Sequence, residues 1–375
     1  MPAQNSCYVC IMDDTDPDII YSGEQGCNHC INARRRIAEE YFPNAEGEAL
    51  LARRVETIRD ASRKNQYDCV VGISGGVDSS YVALRAKKLG LRVLAVHLDN
   101  GWNSELAVKN IENIVVKLGI DLVTHVIRWE EIKDLQRAYF EAGVVDVEAI
   151  TDHAIFAVLY HQAAKHNIRY ILSGSNVAGE SIMPTAWSYD QRDVRNLKAI
   201  HKRYGRAPLK TFPLLSPSRF LYYVFAKRIK FLPILNYMPY VKTDVMEELA
   251  RELDWKPYPN KHGESRFTRF FQDYYLPTRF SYDKRKAHYS SLIAAGQMAK
   301  EDALAHMNKP AYRPEELDSD LEFVLKKLEY SREEWQRIMQ APTKKHLDFP
   351  NNYWMFSPKN GITRYIKRYA KAGVG

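Results

Sequence analysis

At 375 residues, 45% of them hydrophobic and 27% charged, the chain is long enough for one large α/β domain with smaller attachments and has the composition of a soluble globular enzyme. Its 54 Lys plus Arg against 46 Asp plus Glu, a formal charge of +8, suit a polyanion (nucleic acid, a nucleotide-linked substrate or an anionic membrane face) but do not choose among them, and no arginine-rich arm marks a dedicated RNA binder. Met1–Cys10 has no apolar core of a secretory signal, and the greasy stretch Phe220–Ala226 ends at Lys227-Arg228, far short of the roughly 20 residues of a spanning helix, so a cytoplasmic chain without a transmembrane segment is expected.

Four of the five cysteines fall in the first 30 residues, as Cys7-Tyr8-Val9-Cys10 and Cys27-Asn28-His29-Cys30. Each C-x2-C turn aims two thiolates at one ion, and a pair of such turns completes a tetrahedral site of the kind zinc prefers. The sixteen intervening residues, with Asp13, Asp14, Asp16, Pro17, Gly23 and Gly26, cannot build an apolar core unaided, so a metal would supply the folding energy. An iron–sulfur cluster also takes four thiolates and stays open as an alternative, although nothing nearby suggests redox work. Cys7 lies behind six residues, unlike an N-terminal glutaminase nucleophile, and His29 reads as a bystander.

An amphipathic helix over Gly47–Lys64, with Leu51, Val55 and Ile58 on one face, leads to a buried strand, Cys69–Ile73. That strand runs into Ser74-Gly75-Gly76-Val77-Asp78-Ser79-Ser80, and a helix is expected over Tyr81–Leu89, stopping at Gly90. Strand, glycine loop and helix make an anion site. Gly75 and Gly76 let backbone N–H groups face phosphate oxygens, Ser74, Ser79 and Ser80 add hydroxyls, and the helix N-terminus favours negative charge. No Gly-Lys-Ser/Thr follows, as a Walker loop requires, and the dinucleotide G-x-G-x-x-G is missing. S-G-G-x-D-S is instead the signature of PP-loop enzymes, which hold the pyrophosphate of ATP and cleave between its α and β phosphates.

A second strand over Leu91–Leu98 ends at Asp99-Asn100-Gly101-Trp102, and a helix near Ser104–Leu118 carries Val108, Ile111, Val115 and Leu118 on one face. A third strand over Asp121–Ile127, a helix over Asp152–His166 and a fourth strand over Arg169–Leu172, ending at Ser173-Gly174-Ser175-Asn176, follow. Ligands of such sheets bind off the carboxyl ends of the strands. ATP is therefore expected with its phosphates on Ser74–Ser79, its adenosine near His97 and Asp99, and Gly174 and Ser175 approaching from the fourth strand. Asp78, helped by Asp99, is the candidate to reach Mg2+; helix N-capping is the competing role for this aspartate. Cys69 reads as a small core residue.

Thr243–Leu253 is expected to be a helix capped by Thr243, with Val245, Leu249 and Leu253 facing inward. Two polar clusters follow, Lys261–Phe270 and Asp283–His288. Cleavage of ATP at the α–β bond needs cations on the leaving pyrophosphate, and the phosphate loop carries no lysine. Lys261, His262, Glu264, Lys284 and Arg285 are the candidates, whereas Arg266 and Lys286 each read alone as solvated helix-face residues. Residues 318–337 read as helical.

The paired C-x2-C knuckle with Thr15-Asp16 between, the phosphate loop, Leu172-Ser173-Gly174-Ser175-Asn176, Lys261-His262-Gly263-Glu264-Ser265, Tyr275-Leu276-Pro277 and Asp283 to Ile293 together resemble the N-acetyl sugar amidotransferases of bacterial surface-polysaccharide synthesis, in particular the lipopolysaccharide O-antigen type. Tyr21-Ser22 departs from the phenylalanine-aspartate expected there. The resemblance implies an α/β doubly wound parallel sheet of PP-loop type, with an N-terminal zinc knuckle (1–45), an ATP pyrophosphatase domain (46–255) and a helical C-terminal region (256–375) contributing to the site. It implies ATP, Mg2+ and Zn2+ as cofactors and adenylation of the N-acetyl carbonyl of a UDP-linked amino sugar. Ammonia, delivered by a separate glutaminase paired with a cyclase-like barrel, then displaces AMP to leave an acetamidino group. No stable nucleic-acid partner is expected. The competing readings are a PP-loop enzyme of tRNA thiolation or lysine addition and a nucleotide-binding scaffold without activity; carriage of sulfur on protein thiols would rest on Cys69 alone beyond the knuckle.

Overall fold

The structure, a computed structural model, describes residues 5–258 and 263–356. Strands β1 (Cys69–Gly72), β2 (Val93–Asp99), β3 (Asp121–Val126), β4 (Tyr170–Ser173) and β5 (Lys230–Pro233) form a parallel sheet in the order β3-β2-β1-β4-β5. Helices α1 (Asn28–Glu40) and α2 (Ala45–Ala61) lead into β1. Helix α3 (Val77–Lys88) joins β1 to β2, and α4 (Glu105–Leu118) joins β2 to β3. The return to β4 uses α5 (Trp129–Ala142) and α6 (Ala149–Lys165); α7 (Val177–Glu180), α8 (Val194–Tyr204) and α9 (Pro217–Leu221) lie between β4 and β5. After α10 (Lys242–Leu253) the described chain is helical: α11 (Arg266–Phe270), α12 (Leu276–Phe280), α13 (Lys284–Ala294), α14 (Lys300–Met307), α15 (Pro314–Leu328), α16 (Arg332–Gln340) and α17 (Tyr353–Phe356). No helix among the described residues is long and apolar enough to cross a membrane.

A parallel sheet needs both faces covered, and the period-two alternation of its strands shows how this is done. Cys69 and Val71 of β1, Val93 and Ala95 of β2, and Tyr170 and Leu172 of β4 point into one core with α2, α3, α4 and α10. Val70, Leu94, Val96 and Ile171 point the other way, against Phe156, Leu159 and Tyr160 of α6. A third core is aromatic: Phe140 of α5 meets Tyr275 at 4.9 Å and Trp335 at 5.1 Å, and Trp102 meets Phe267 at 4.9 Å. The C-terminal helices therefore dock on the loop after β2 and on α5, at the edge of the sheet where ligands bind. The chain runs outward from β1 through β2 to β3, then returns to place β4 on the other side of β1. That reversal makes the carboxyl ends of β1 and β4 a topological switch point, where such sheets open a crevice.

Several local expectations shift. Helix α3 begins at Val77, four residues before the expected start, because Gly76 takes extended backbone (φ −72°, ψ 165°) as its N-cap. On α4 the inward face is Ala107, Asn110, Ile111, Ile114 and Leu118, while Val108 is 55% exposed and Val115 half-buried. Helix α10 begins at Lys242 after Val241; Thr243 is not its cap and turns its hydroxyl to the Asp244 carboxylate. Helix α5 and strand β5 were not anticipated. Only Leu232 is buried in β5, and a four-residue edge strand ending at Pro233 has too few inward positions for a period to show.

Candidate active site

The loop after β1 is held from behind. The Gly75 carbonyl accepts hydrogen bonds from the Trp255 indole N–H and the Tyr258 hydroxyl, both 2.9 Å. Gly75 has φ +83°, and a Cβ there would lie 2.8 Å from the Ala107 carbonyl oxygen, so the close approach and the backbone both require glycine. The Ser74 N–H donates to Ser79 Oγ at 3.2 Å, the two hydroxyls lie 3.1 Å apart, and the Gly76 N–H donates to Ser74 Oγ at 3.3 Å. No side chain caps α3. Its first-turn N–H groups, which lack partners within the helix, and its positive dipole end could hold an anion. Gly75→Ala is expected to weaken ATP binding about tenfold or more, measured by titration calorimetry with a non-hydrolysable analogue.

Ser80 takes no part. It is buried, its hydroxyl donates to the Gly76 carbonyl at 2.6 Å, and its N–H makes the helical bond to the same oxygen. Its expected role as a phosphate donor is therefore corrected: α3 has already begun, and the hydroxyl bonds back into the first turn. Asp78 does not cap the helix either. Its carboxylate accepts a hydrogen bond from the buried Tyr240 hydroxyl. Burial, with the adjacent carboxylate, holds that phenol well above its ordinary range. Gly174, at the end of β4, lies against Asp78 so closely that a Cβ would fall 3.0 Å from its Cβ. Ser175 is exposed beside it.

The end of β2 contributes differently from what was expected. His97 is buried, with Nδ1 2.8 Å from the Ile73 carbonyl and Nε2 3.0 Å from Asn103 Nδ2. Both ring nitrogens are spent on scaffold; direct contact with adenosine is corrected to support of the loops from behind. Asp99 Oδ1 accepts the Gly101 N–H at 2.8 Å and shapes the turn. Across this turn the Ser104 N–H donates to the Glu264 carbonyl at 3.0 Å, and Asn103 pairs with Ser265. The C-terminal segment is thereby brought onto the loop: a Cβ on Gly76 would lie 3.7 Å from a Glu264 carboxylate oxygen. Lys261 and His262 lie outside the described residues. A cleft of about 520 Å³ opens beside the loop, lined by Ser104, Tyr258, Gly263, Arg266, Arg269 and Asp320. Arg266 and Arg269 both pair with buried Asp320, so Arg266 is not a solvated face residue.

Lys284 stands in a second recess. Helix α6 runs back to the start of β4, so its first turns, with Asp152, lie at the carboxyl edge of the sheet. Asp152 is solvent-exposed, although protein surrounds it on its other sides, with Glu148, Asp146 and Lys284 in electrostatic reach. Glu148 accepts from the Thr268 hydroxyl at 2.5 Å and from Gln272 Nε2 at 3.2 Å, and Asp146 from the Tyr189 N–H at 2.7 Å. Burial, then Glu148 and Asp146, push the Asp152 carboxyl up from 3.8 to about 8, against the opposing pull of Lys284. Between those limits the folded chain holds a proton that the unfolded chain has released, so stability falls as pH rises across the window. Because solvent screens this exposed carboxyl, the effect on stability is small: Asp152→Asn is expected to melt slightly higher than the parent at pH 8 and to converge with it near pH 4 in calorimetry. Arg285 is corrected as a cleft cation: its guanidinium holds its own helix cap, Asp283, at 2.6 Å and the Lys309 carbonyl at 2.8 Å. Tyr240, Trp255, Tyr258, Asp146, Glu148 and Asp152 escaped the sequence reading, since no spacing joins them to the phosphate loop as a motif.

Cys7, Cys10, Cys27 and Cys30 converge as expected. All four are buried, with ligand atoms within 4.8 Å of one another and Sγ–Sγ separations of 3.7, 3.8 and 3.9 Å. A tetrahedron with ~2.3 Å metal–sulfur bonds has edges of ~3.8 Å. The set is thus compatible with one zinc ion; a polynuclear iron–sulfur cluster seats its thiolates on different irons and needs them farther apart. His29 points away, with Nε2 2.5 Å from the buried Asp16 carboxylate.

Residues 264–360 match the family model described as LPS biosynthesis protein WbpG-like, C-terminal domain, and residues 50–214 match the NAD synthase model. Among solved structures, NMN synthetase from Francisella tularensis is similar over 70% of this chain and 90% of its own, at 14% identity and TM-score 0.37. The NH3-dependent NAD synthetase from Campylobacter jejuni is similar over 56% and 86%, at 16% identity and TM-score 0.31. A predicted subunit of tRNA methyltransferase from Methanocaldococcus jannaschii is similar over 49% and 76%, at 18% identity and TM-score 0.28. No curated protein matches the chain.

Proposed function

We propose that this chain, with its WbpG-like C-terminal match and its NAD synthase-like match over residues 50–214, is an ATP-dependent amidotransferase acting on a nucleotide-linked acetamido sugar. The observation that carries the reading is the junction of the two matched regions at one place: Glu264, at the start of the WbpG-like segment, closes over Gly76 of the phosphate loop. In this reading residues 1–45 form the zinc knuckle, 46–255 handle ATP, and 256–375 close the site and help to receive the sugar. Ser74, Gly75, Gly76 and Ser79 hold the pyrophosphate of ATP, and Asp78 faces it as the ligand for Mg2+, which when bound neutralises charge on the phosphates. The N-acetyl carbonyl of a UDP-linked amino sugar attacks the α-phosphorus and is adenylated; pyrophosphate leaves. Ammonia adds to the activated carbon and AMP departs with the oxygen, leaving an acetamidino group. Activation is required because an amide carbonyl is a poor electrophile and oxide a poor leaving group. A separate glutaminase with a cyclase-like barrel supplies the ammonia.

Thiolation of tRNA is the weaker reading. Cys69 is buried in β1, and burial pushes its thiol up, away from reactivity. The test is incubation of the purified chain with ATP, Mg2+, an ammonium salt and a panel of UDP-linked diacetamido sugars, following AMP and sugar mass. Release of AMP together with loss of about one mass unit from the sugar is expected, because NH replaces O. Release of AMP that depends on bulk tRNA and leaves every sugar unchanged would overturn the proposal.

A further inference from the structure

The knuckle is built onto one particular helix. The Lys286 ammonium pairs with the buried Asp13 carboxylate, and the Ile11 N–H donates to buried Ser290 Oγ at 3.3 Å. Just beyond α13, Lys300 Nζ reaches the carbonyls of Cys7 and Tyr8, each at 2.8 Å. Ala287, with no exposed surface, shares an apolar cluster with the four cysteines, Met12 and Trp187. Lys286, Ala287 and Ser290 recur at helical spacing and form the knuckle-facing side of α13. The same helix turns another side to the crevice: His288 Nδ1 lies 3.1 Å from the Gly179 carbonyl on α7, and the Lys284 ammonium stands 5.4 Å from the centre of the Phe271 ring, in electrostatic reach of Asp146 and Asp152. The knuckle grips α7 as well, through Arg36 of α1 to the Glu180 and Ser181 carbonyls, and Ile182 donates to Ser291 Oγ at 3.0 Å. Helix α7 follows directly from Ser173–Asn176, the strand end packed on Asp78.

We propose that the four-cysteine knuckle is a clamp on the catalytic crevice, and that Lys286, through Asp13, is a positioning residue that holds Lys284 over Phe271 and beside the Asp146–Asp152 carboxylates. The functional half of this statement rests on the amidotransferase reading; the positional half does not. Without its metal the knuckle has no core of its own, so the inner side of α13 loses the surface it packs on, and Lys284, half a turn away, loses its register.

The test uses the full-length, zinc-loaded chain and three variants, Lys286→Ala, Lys286→Arg and Lys284→Ala/Lys286→Ala. The first readout needs no turnover: the rate at which an amine-reactive reagent labels Lys284, followed by mass spectrometry. Lys286→Ala is expected to speed labelling about tenfold with zinc content and ATP affinity unchanged. Lys286→Arg is expected to restore the parent rate. Stripping the metal with a chelator should speed labelling at least as much. The second readout is kcat: Lys286→Ala should lower it about tenfold at unchanged KM for ATP and add nothing in the Lys284→Ala background. Parent labelling rates in both Lys286→Ala and the metal-stripped chain would overturn the clamp, and full additivity of the two alanines would overturn the action through Lys284. Faster labelling in a chain that amidinates no sugar upholds the clamp and removes the amidotransferase reading instead.

Discussion

Asp78→Ala is expected to lower the rate of AMP formation by about 10²–10³, with the fold retained. A carboxylate in the first turn of a helix usually serves the dipole or caps the end. Here the cap position belongs to Gly76, and Asp78 is instead held by the Tyr240 hydroxyl and pressed against Gly174. Two anions, this carboxylate and a pyrophosphate, can share one helix N-terminus only if a cation lies between them, which is the arrangement Mg2+ favours. The variant should therefore lose the Mg2+ dependence of ATP binding, and calorimetric titrations with and without the metal should superimpose. Truncation also strands the buried Tyr240 hydroxyl, at about 1–3 kcal/mol, so a drop of several degrees in melting temperature is expected while the far-ultraviolet dichroism holds. Tyr240→Phe separates the two effects: it keeps the carboxylate, should retain Mg2+ dependence and should cost about tenfold in rate. A parent rate of AMP release in Asp78→Ala would remove the loop from ATP handling.

The core of the fold was legible because parallel strands are written locally. Val70-Val71 and the run from Val93 to Val96 are continuous apolar segments with glycine loops close by, which no other element explains as simply. Helix α5 was invisible for a different reason: its buried set includes Glu131, Asp134 and Gln136. Glu131 accepts the Thr211 and Phe212 N–H groups at 3.0 and 2.7 Å, and Asp134 accepts from Arg206, so charged residues occupy core positions that a hydrophobic pattern cannot mark. The face of α4 was misread at Val108 because Asn110, fully buried, holds the inward position and bonds to both backbone groups of Lys256: its Oδ1 accepts from the Lys256 N–H and its Nδ2 donates to the Lys256 carbonyl.

At the site, the parts written as a motif were legible and the parts assembled by topology were not. Ser74 to Ser79 and the four cysteines each lie in short segments whose spacing is itself the signal. Ser80 belongs to the same motif, yet its role turned on where the helix begins, a matter of one backbone conformation at Gly76. Histidine and aspartate at the end of β2 read as ligand groups, but Asn103, six residues on, claims His97. The recess of Asp152 combines α5–α6, α11 and α13, more than 100 residues apart, and a lone aspartate inside an apolar helix gives no hint of its neighbours. Lys284 and Arg285 are adjacent in sequence, and only packing decides that one faces the recess and the other its own helix cap.

The other large effect is expected at the knuckle. The full chain should carry one zinc, and Cys7→Ser should lose it and melt in two steps, with the first well below the parent transition. The cysteines, Met12, Ala33, Ile182, Trp187 and Ala287 form a cluster separate from the two cores on the faces of the sheet. Four thiol groups meeting at a point with nearly no exposed surface are favourable only as thiolates around a cation; as neutral thiols they bring weak donors together and stabilise little. Structural zinc in comparable small sites contributes about 10–16 kcal/mol of apparent binding energy at neutral pH, and losing it uncouples this cluster before the sheet melts. The phosphate loop should survive that first step, because its anchors, Trp255, Tyr258 and Ser79, lie in other parts of the chain. ATP affinity measured between the two transitions should therefore be near that of the parent, while sugar amidination is already lost. Since the thiolates must be deprotonated to bind, acidification toward pH 5 should reproduce the same two-step melting in the parent chain as the metal leaves. Metal analysis, calorimetry and nucleotide titration on one preparation decide the matter: a chelated chain that keeps a single, unshifted transition has no structural metal at these cysteines.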